Sequence, residues 1–389
     1  MPFLILFLAI SLGYGITLEE AISVALKNNP ELKSMRKAVG IYEGRVISAK
    51  AFPNPELSLE SININIRKGK EKPLYSIEIS QGIPLWGVRE KAYKSAEKAK
   101  EAFLKQIEAR ERKVTGLVYK AFYDALYKKE NINLLRENLS VIEELERYIK
   151  DAYQIGEATE LELLRIKREK DMLTVRIEIA EAMYKVSLSK LASLLGNEIE
   201  GVEGSMDKIY PILSLRVEDL PDIKSIEEKI NSVNYRIELE KALAKPTLSI
   251  GLTAEDSKAG YYEYRLLIRS NIPLFYRRAG EILENISLKE SLLKKKEGLK
   301  FSIEAQLRTM KDNYEKLKRR LEYLDKETIP FAKRELDTAI EGYKERVITL
   351  FELSNIREAY YSLLKEKLDL LREIHLITGE FISYGGMAK

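Results

Sequence analysis

One histidine and no cysteine leave this chain few ways to do covalent or metal chemistry. Without cysteine there is no disulfide, no thiolate metal site and no cysteine nucleophile. His375 alone cannot build a multi-histidine metal site and offers little to a catalytic triad. It follows Ile374 near the end of a helical pattern, where it reads as structural. No glycine-rich phosphate loop and no Gly-x-Ser-x-Gly elbow is present. Paired acids such as Glu143-Glu144 lie on long helical patterns and read as solvated. The seven methionines are scattered, so no soft-metal cluster forms. These residues point to no catalytic, metal or cofactor site, and attention shifts to how the chain is built.

The composition suits a protein that buries a core: 45% of residues are apolar and 32% charged. Net charge is +4 from 65 basic and 61 acidic residues, too even for a nucleic-acid partner. Charges of both signs alternate along helical stretches, as on solvated helix faces. Phe3 to Leu12 is almost wholly apolar and ends at Gly13-Tyr14-Gly15, which reads as a secretory signal over residues 1–15. No lysine or arginine precedes the apolar run. No later stretch approaches the ~20 apolar residues of a spanning helix. A membrane role therefore requires a barrel, and without a cysteine after the signal no lipid anchor is expected there.

The chain repeats itself. Pro30-Glu-Leu-Lys-Ser-Met matches Pro221-Asp-Ile-Lys-Ser-Ile, and Pro55-Glu-Leu-Ser-Leu matches Pro246-Thr-Leu-Ser-Ile. Ile83-Pro84-Leu85-Trp86 matches Ile272-Pro273-Leu274-Phe275, and Tyr153 and Thr159 match Tyr343 and Thr349. Collinear matches at four places indicate an internal duplication, with repeats over 16–205 and 206–389. Each copy holds a short helix, two strands and long helices.

The helices carry coiled-coil seams. Ile303, Leu307, Met310, Tyr314, Leu317, Leu321 and Leu324 step by three and four, as do Leu173, Ile177, Ala180, Tyr184, Leu188, Leu191 and Leu195. Long helices are expected over 88–153, 157–195, 276–341 and 349–378. The first contains no proline and would run about 100 Å, a length suited to a tunnel or stalk. Strands are expected over 55–66, 74–83, 247–254 and 261–272, from alternation such as Tyr75, Ile77, Ile79. A change of phase between Leu59 and Ile62 suggests a bulge near Ser61. Each half thus carries one hairpin, with polar turns at 67–73 and 255–260. Pro84 and Pro273 mark the passages where strand runs on into helix. Trp86, Phe275 and Tyr276 sit at strand ends, as an interfacial aromatic girdle would. Membrane barrels need about eight strands or more. One chain has four, so a membrane reading demands an oligomer that closes the barrel between subunits.

These residues resemble the TolC family of outer-membrane efflux proteins over nearly all of the mature chain. Thr17-Leu-Glu-Glu-Ala-Ile-Ser-Val-Ala-Leu-Lys-Asn-Asn-Pro-Glu-Leu is similar to the family's opening helix. Ala51-Phe-Pro-Asn-Pro-Glu-Leu-Ser-Leu resembles its first strand, and Ser80-Gln-Gly-Ile-Pro-Leu-Trp-Gly-Val-Arg its second strand and long-helix entry. The resemblance implies a mainly α fold with membrane β. A homotrimer would form a 12-stranded β-barrel, four strands per chain, continued by a periplasmic α-helical barrel of coiled-coil helices. Residues 196–221, part of the N-terminal helix and the C-terminal tail would form a mixed equatorial region.

The resemblance also implies a tip of two helix-turn-helix corners, Tyr153-Gln-Ile-Gly156-Glu-Ala-Thr159 with Glu162, and Tyr343-Lys344-Glu-Arg346-Val-Ile-Thr349 with Glu352. In the family these corners constrict the tunnel and meet a periplasmic adaptor of an inner-membrane pump. Gly156 suits a turn of positive φ. Arg346 stands where glycine is expected, and Asn355 where a second acid can be found. Tyr153, Tyr343, Lys344 and Arg346 are the expected links that hold the tunnel shut. The function expected is an outer-membrane exit duct of an efflux or type I secretion system, with no enzyme activity and no cofactor. Outer-membrane lipid, adaptor and pump are its partners. The alternative is a soluble or peripheral coiled-coil scaffold, which explains the heptads but not the hairpins, the repeat or the signal.

Overall fold

The computed structural model describes residues 15–62, 74–212, 214–256 and 260–385. The expected signal before Gly15 and the first hairpin turn lie outside them. In chain order the elements are α1 (Leu18–Asn28), α2 (Pro30–Lys50), β1 (Glu56–Ile62), β2 (Leu74–Ile83), α3 (Val88–Gln154) and α4 (Glu160–Leu195), then α5 (Pro221–Leu243), β3 (Leu248–Asp256), β4 (Tyr262–Arg269), α6 (Ala279–Tyr323), α7 (Ile329–Lys344) and α8 (Leu350–Ser383). Among the described residues no helix is long and apolar enough to cross a membrane.

Contacts divide the chain into two compact units, and each draws on both halves of the sequence. The first takes the N-terminal segment through Ser34, Ala109–Arg216 and everything from Ile303 on; the second takes Met35–Glu108 and Val217–Ser302. In the first unit, α1 opens with a capping box: the Thr17 hydroxyl accepts from the Glu20 N–H, and the Glu20 carboxylate accepts from the Thr17 N–H. This satisfies two otherwise orphaned groups at the helix start. Leu18, Ala21 and Ala25 of α1 then pack with Phe122 and Leu126 of α3, Val202 and Met206 of the 196–212 segment, and Ile374 and Ile382 of α8. The segment is tied down by backbone bonds between Ile16 and residues 201 and 203. Gly116 of α3 lets α8 approach closely, since a Cβ there would lie 2.4 Å from the Gly379 carbonyl oxygen.

The expected single helix over 276–341 is interrupted. Leu324–Thr328 forms a π-helical turn between α6 and α7. Pro330 supplies the cause. It has no N–H to give, and its ring crowds the carbonyl four residues back, so the ladder widens there.

The second unit holds one antiparallel sheet in the order β1-β2-β3-β4. Its register places Leu57, Ile79, Leu252 and Leu266 in one cross-strand row, and Leu59, Ile77, Ala254 and Tyr264 in the next. Since strand side chains alternate, these rows form one apolar face, and its large members are exposed. The other face is polar: Ser58, Glu78, Thr253 and Arg265 share a row, Arg269 pairs with Glu78, and Arg265 with Glu255. β1 and β4 each pair on one side only. The ladder runs unbroken through Ser61↔Tyr75 and Ile62↔Leu74, so no bulge lies at Ser61. A shift in apolar alternation cannot by itself distinguish an inserted residue from an apolar residue of the opposite parity. β4 ends at Arg269, short of 272, while the Thr247 N–H still reaches the Asn271 carbonyl at 3.1 Å.

His375 is fully buried. Its Nε2 lies 2.8 Å from the Met206 carbonyl oxygen and its Nδ1 2.9 Å from the Tyr119 hydroxyl. Its ring stacks on Tyr123 at 3.5 Å. The pattern fits a neutral ring that donates from Nε2 and accepts at Nδ1. It pins the 196–212 segment to α3 and α8. Burial lowers its pKa to about 4 from 6.5. The neutral form is the one the fold holds, so its contribution is complete above pH 6.5 and is lost as pH falls from there through about 4. Melting temperature measured from pH 7 to pH 4 should therefore fall more steeply for the wild type than for His375→Gln. Parallel curves would show that the ring's titration is not felt.

Candidate functional site

The two corners lie in the first unit and are built as one motif used twice. At the first, α3 ends at Gln154 and the Ala152 carbonyl accepts from the Glu157 N–H at 2.7 Å. At the second, α7 ends at Lys344 and the Gly342 carbonyl accepts from the Val347 N–H, also at 2.7 Å. Gly156 has φ +75° and Arg346 φ +64°. Arg346 thus takes the left-handed conformation that Gly156 takes at no steric cost, and its Cβ penalty is ~1 kcal/mol or somewhat more. The turn geometry that the substitution put in question is kept.

Both following helices open with the same capping box. Thr159 accepts from the Glu162 N–H at 3.2 Å and donates its own N–H to Glu162 at 2.8 Å; Thr349 and Glu352 repeat both distances. The Thr-x-x-Glu spacing is a sequence signature of a helix start, so the matched acids have a structural duty first.

Beyond the caps, three expected residues come together. The Tyr343 hydroxyl donates to Glu162 at 3.1 Å, and Arg346 donates to Glu157 at 2.9 Å. Burial and the Glu162 charge push the Tyr343 hydroxyl well above its ordinary range. Burial acts to raise the Glu162 pKa, but bonds from Thr159 and Tyr343 and the Arg346 charge outweigh it and hold the carboxyl below its usual 4.5. The link is therefore intact above pH 4.5 and weakens only as pH falls through the lowered value. Lys344 takes part through its backbone: its carbonyl accepts from the Tyr148 hydroxyl at 3.1 Å. Tyr153 is exposed at the end of α3 and joins none of these links, and Glu352 bonds its own cap only.

A buried ionic group two to three turns above the corners was not expected. Arg357 of α8, 2% exposed, donates to Glu169 of α4 at 2.8 Å, and Ser354 and Arg165 also reach that carboxylate. Burial disfavours the Glu169 charge, yet Arg357 and the other donors lower its pKa overall. Removing one member of such a pair costs ~3–5 kcal/mol. The sequence carried a signal: Arg357 falls in the apolar series Leu350, Leu353, Tyr360, Tyr361 of α8, where a charge requires a partner.

The strand-to-helix residues behave differently from expectation. Neither proline sits in a first helical turn: α3 starts at Val88, after Pro84, and α6 at Ala279, after Pro273. The passage also bends, since Trp86 (φ +60°) and Arg278 (φ +55°) are left-handed. Trp86 donates its indole N–H to the Pro246 carbonyl at 2.8 Å, with Lys245 over its ring. Phe275 is completely exposed. Among the described residues no cluster of metal-ligating side chains is present.

The chain thus combines an exposed apolar sheet face, helices with heptad seams and paired corners. Residues 21–197 match the family model described as outer membrane efflux protein. The CzcC cobalt-zinc-cadmium resistance protein of Cupriavidus metallidurans is 21% identical over 282 residues, 70% of this chain. The match spans 66% of that relative's length. The CmeC outer membrane channel of Campylobacter jejuni shares the fold with a TM-score of 0.78 at 18% identity, over 95% of this chain and 85% of CmeC. The outer membrane protein VceC of Vibrio cholerae does so at 0.77 and 14%, over 95% and 96%.

The corners generate a paired test. Gly156→Ala should cost ~1 kcal/mol through its positive φ. Arg346→Gly should gain a few tenths to ~1 kcal/mol, because the lost pair with Glu157 is exposed at both ends. Hydrogen exchange at the Glu157 and Val347 amides reads each turn separately. Equal protection in wild type and both variants would remove strain from the account.

Proposed function

We propose that this chain is one third of a trimeric outer-membrane exit duct, through which an inner-membrane pump and its periplasmic adaptor pass cargo without chemistry. The observation that carries the reading is the sheet: four strands, one bare apolar face and two open edges. Lipid cannot satisfy an open edge, and four strands are too few to close a barrel. Copies of the chain joined β4 to β1 would close one. Helix α4 supports the same conclusion. Its buried seam includes Ile166, Leu173, Ile177 and Leu191, while Leu161, Leu164, Met172, Val175, Ile179, Met183 and Val186 form a second apolar stripe, each more than half exposed. A helix with one seam filled and one empty suits a wall that a neighbouring chain completes.

In this reading the corners are the periplasmic gate. Tyr343–Glu162 and Arg346–Glu157 tie one corner to the other and hold the mouth narrow. CzcC is named for cobalt, zinc and cadmium resistance, which makes divalent metal ions candidate cargo. Drugs and proteins stay in view, since cargo choice in such assemblies lies mostly with the pump.

Val175→Glu should put a charge in the empty seam and prevent assembly, so that native mass spectrometry finds three chains for wild type and dissociated chains for the variant. In planar bilayers wild type should show a small resting conductance, and Tyr343→Phe and Arg346→Ala should each raise it severalfold. Assembled protein without conductance would refute the duct; unchanged conductance in both variants would refute the gate. A scaffold would leave membranes in salt, a barrel only in detergent.

A further inference from the structure

Four helices of the sheet-bearing unit enclose a cleft of about 260 Å³ that the duct reading does not use. Tyr42 of α2 and Phe103 of α3 line it as a stacked pair, ring centroids 4.4 Å apart. Leu288 and Leu292 of α6 form an apolar wall, and Gln106 and Lys229 bring the polar groups. The surrounding charges are paired: Lys98 with Glu101 and Glu228, Lys296 with Glu227. Lys229, which lines the cleft, is different. It is partly buried, and among the described residues nothing accepts a hydrogen bond or ion pair from it. The Gln106 amide is equally unengaged. Burial, with the charge of another cation, Lys295, holds the Lys229 pKa below the lysine range. A cation so placed beside unfilled space is stabilised by an anion.

We propose that this cleft binds a small aromatic carboxylate, the carboxylate on Lys229 and the Gln106 amide and the ring against Tyr42, Phe103 and the leucines. An inorganic anion would lose its hydration against the apolar walls and gain a single ammonium. The volume falls below the ~300–1,000 Å³ of sites for drug-sized ligands, which favours one or two fused rings. Nothing in the duct reading depends on this site, and the site does not depend on the gate.

The test is titration of the full chain in lipid nanodiscs with 2-naphthoate, followed by fluorescence. Saturable binding of one molecule per chain is expected. The neutral isostere 2-naphthylmethanol should bind at least tenfold more weakly, inorganic phosphate should not compete, and Lys229→Met should weaken 2-naphthoate at least tenfold while Lys295→Met does so less. Absence of saturable binding, equal binding of the alcohol, or unchanged binding by Lys229→Met would each overturn the proposal. If Lys229→Met does not fold, as judged by circular dichroism, the Lys229→Gln variant and the acid-against-alcohol comparison on wild type decide.

Discussion

A strand in hydrocarbon must give every backbone N–H and C=O a partner, because the solvent offers none. The rest of this structure can be read from that demand. The sheet has satisfied it along three ladders and left it open at β1 and β4. In the proposed duct the apolar face meets lipid, which makes the open edges costly. Closing them there takes strands from further chains. The same incompleteness appears in α4, whose second seam has no occupant among the described residues. Sheet and helix, in separate units, each point to neighbours.

Within the chain, the two corners show one turn motif made from different residues. The two turns share their hydrogen bonds and caps, yet one is made with glycine and the other with arginine. The arginine accepts an unfavourable backbone and in return reaches Glu157. Tyr343 is likewise buried against Glu162, whereas its counterpart Tyr153 is exposed. The links across the corners are therefore built largely from side chains of the second corner, on acids supplied by the first. Above them the Glu169–Arg357 pair joins α4 to α8 where little water can replace either partner.

Much of this was legible in the residues. Period-two alternation located all four strands, and periods of three and four the long helices, because burial on one face is a local and repeated constraint. The duplication set which corners correspond. What was missed depends on single residues in context. The widened turn at Leu324–Thr328 follows from Pro330, which was visible, but helical sequence on both sides of it hid the break. The left-handed Trp86 depends on a bond to Pro246, 160 positions away, and Arg357 on a partner 188 positions away. Such pairings are not local, and alternation carries no information about them. The inferred bulge at Ser61 failed for the opposite reason: a local pattern was given a meaning that only the partner strand could decide.

The widened turn between α6 and α7 has a geometric consequence. A π turn takes in one residue more than an α turn, and in an unbroken α-helix that residue would turn everything beyond it by about 100°. Leu336, Ala339 and Tyr343 are buried on α7 one position later than the spacing of α6 would place them. The turn therefore absorbs one residue and keeps two stretches of one seam on the same side. Losing that residue would close the turn to α with the seam still aligned, whereas a second extra residue would aim the second corner away from the first.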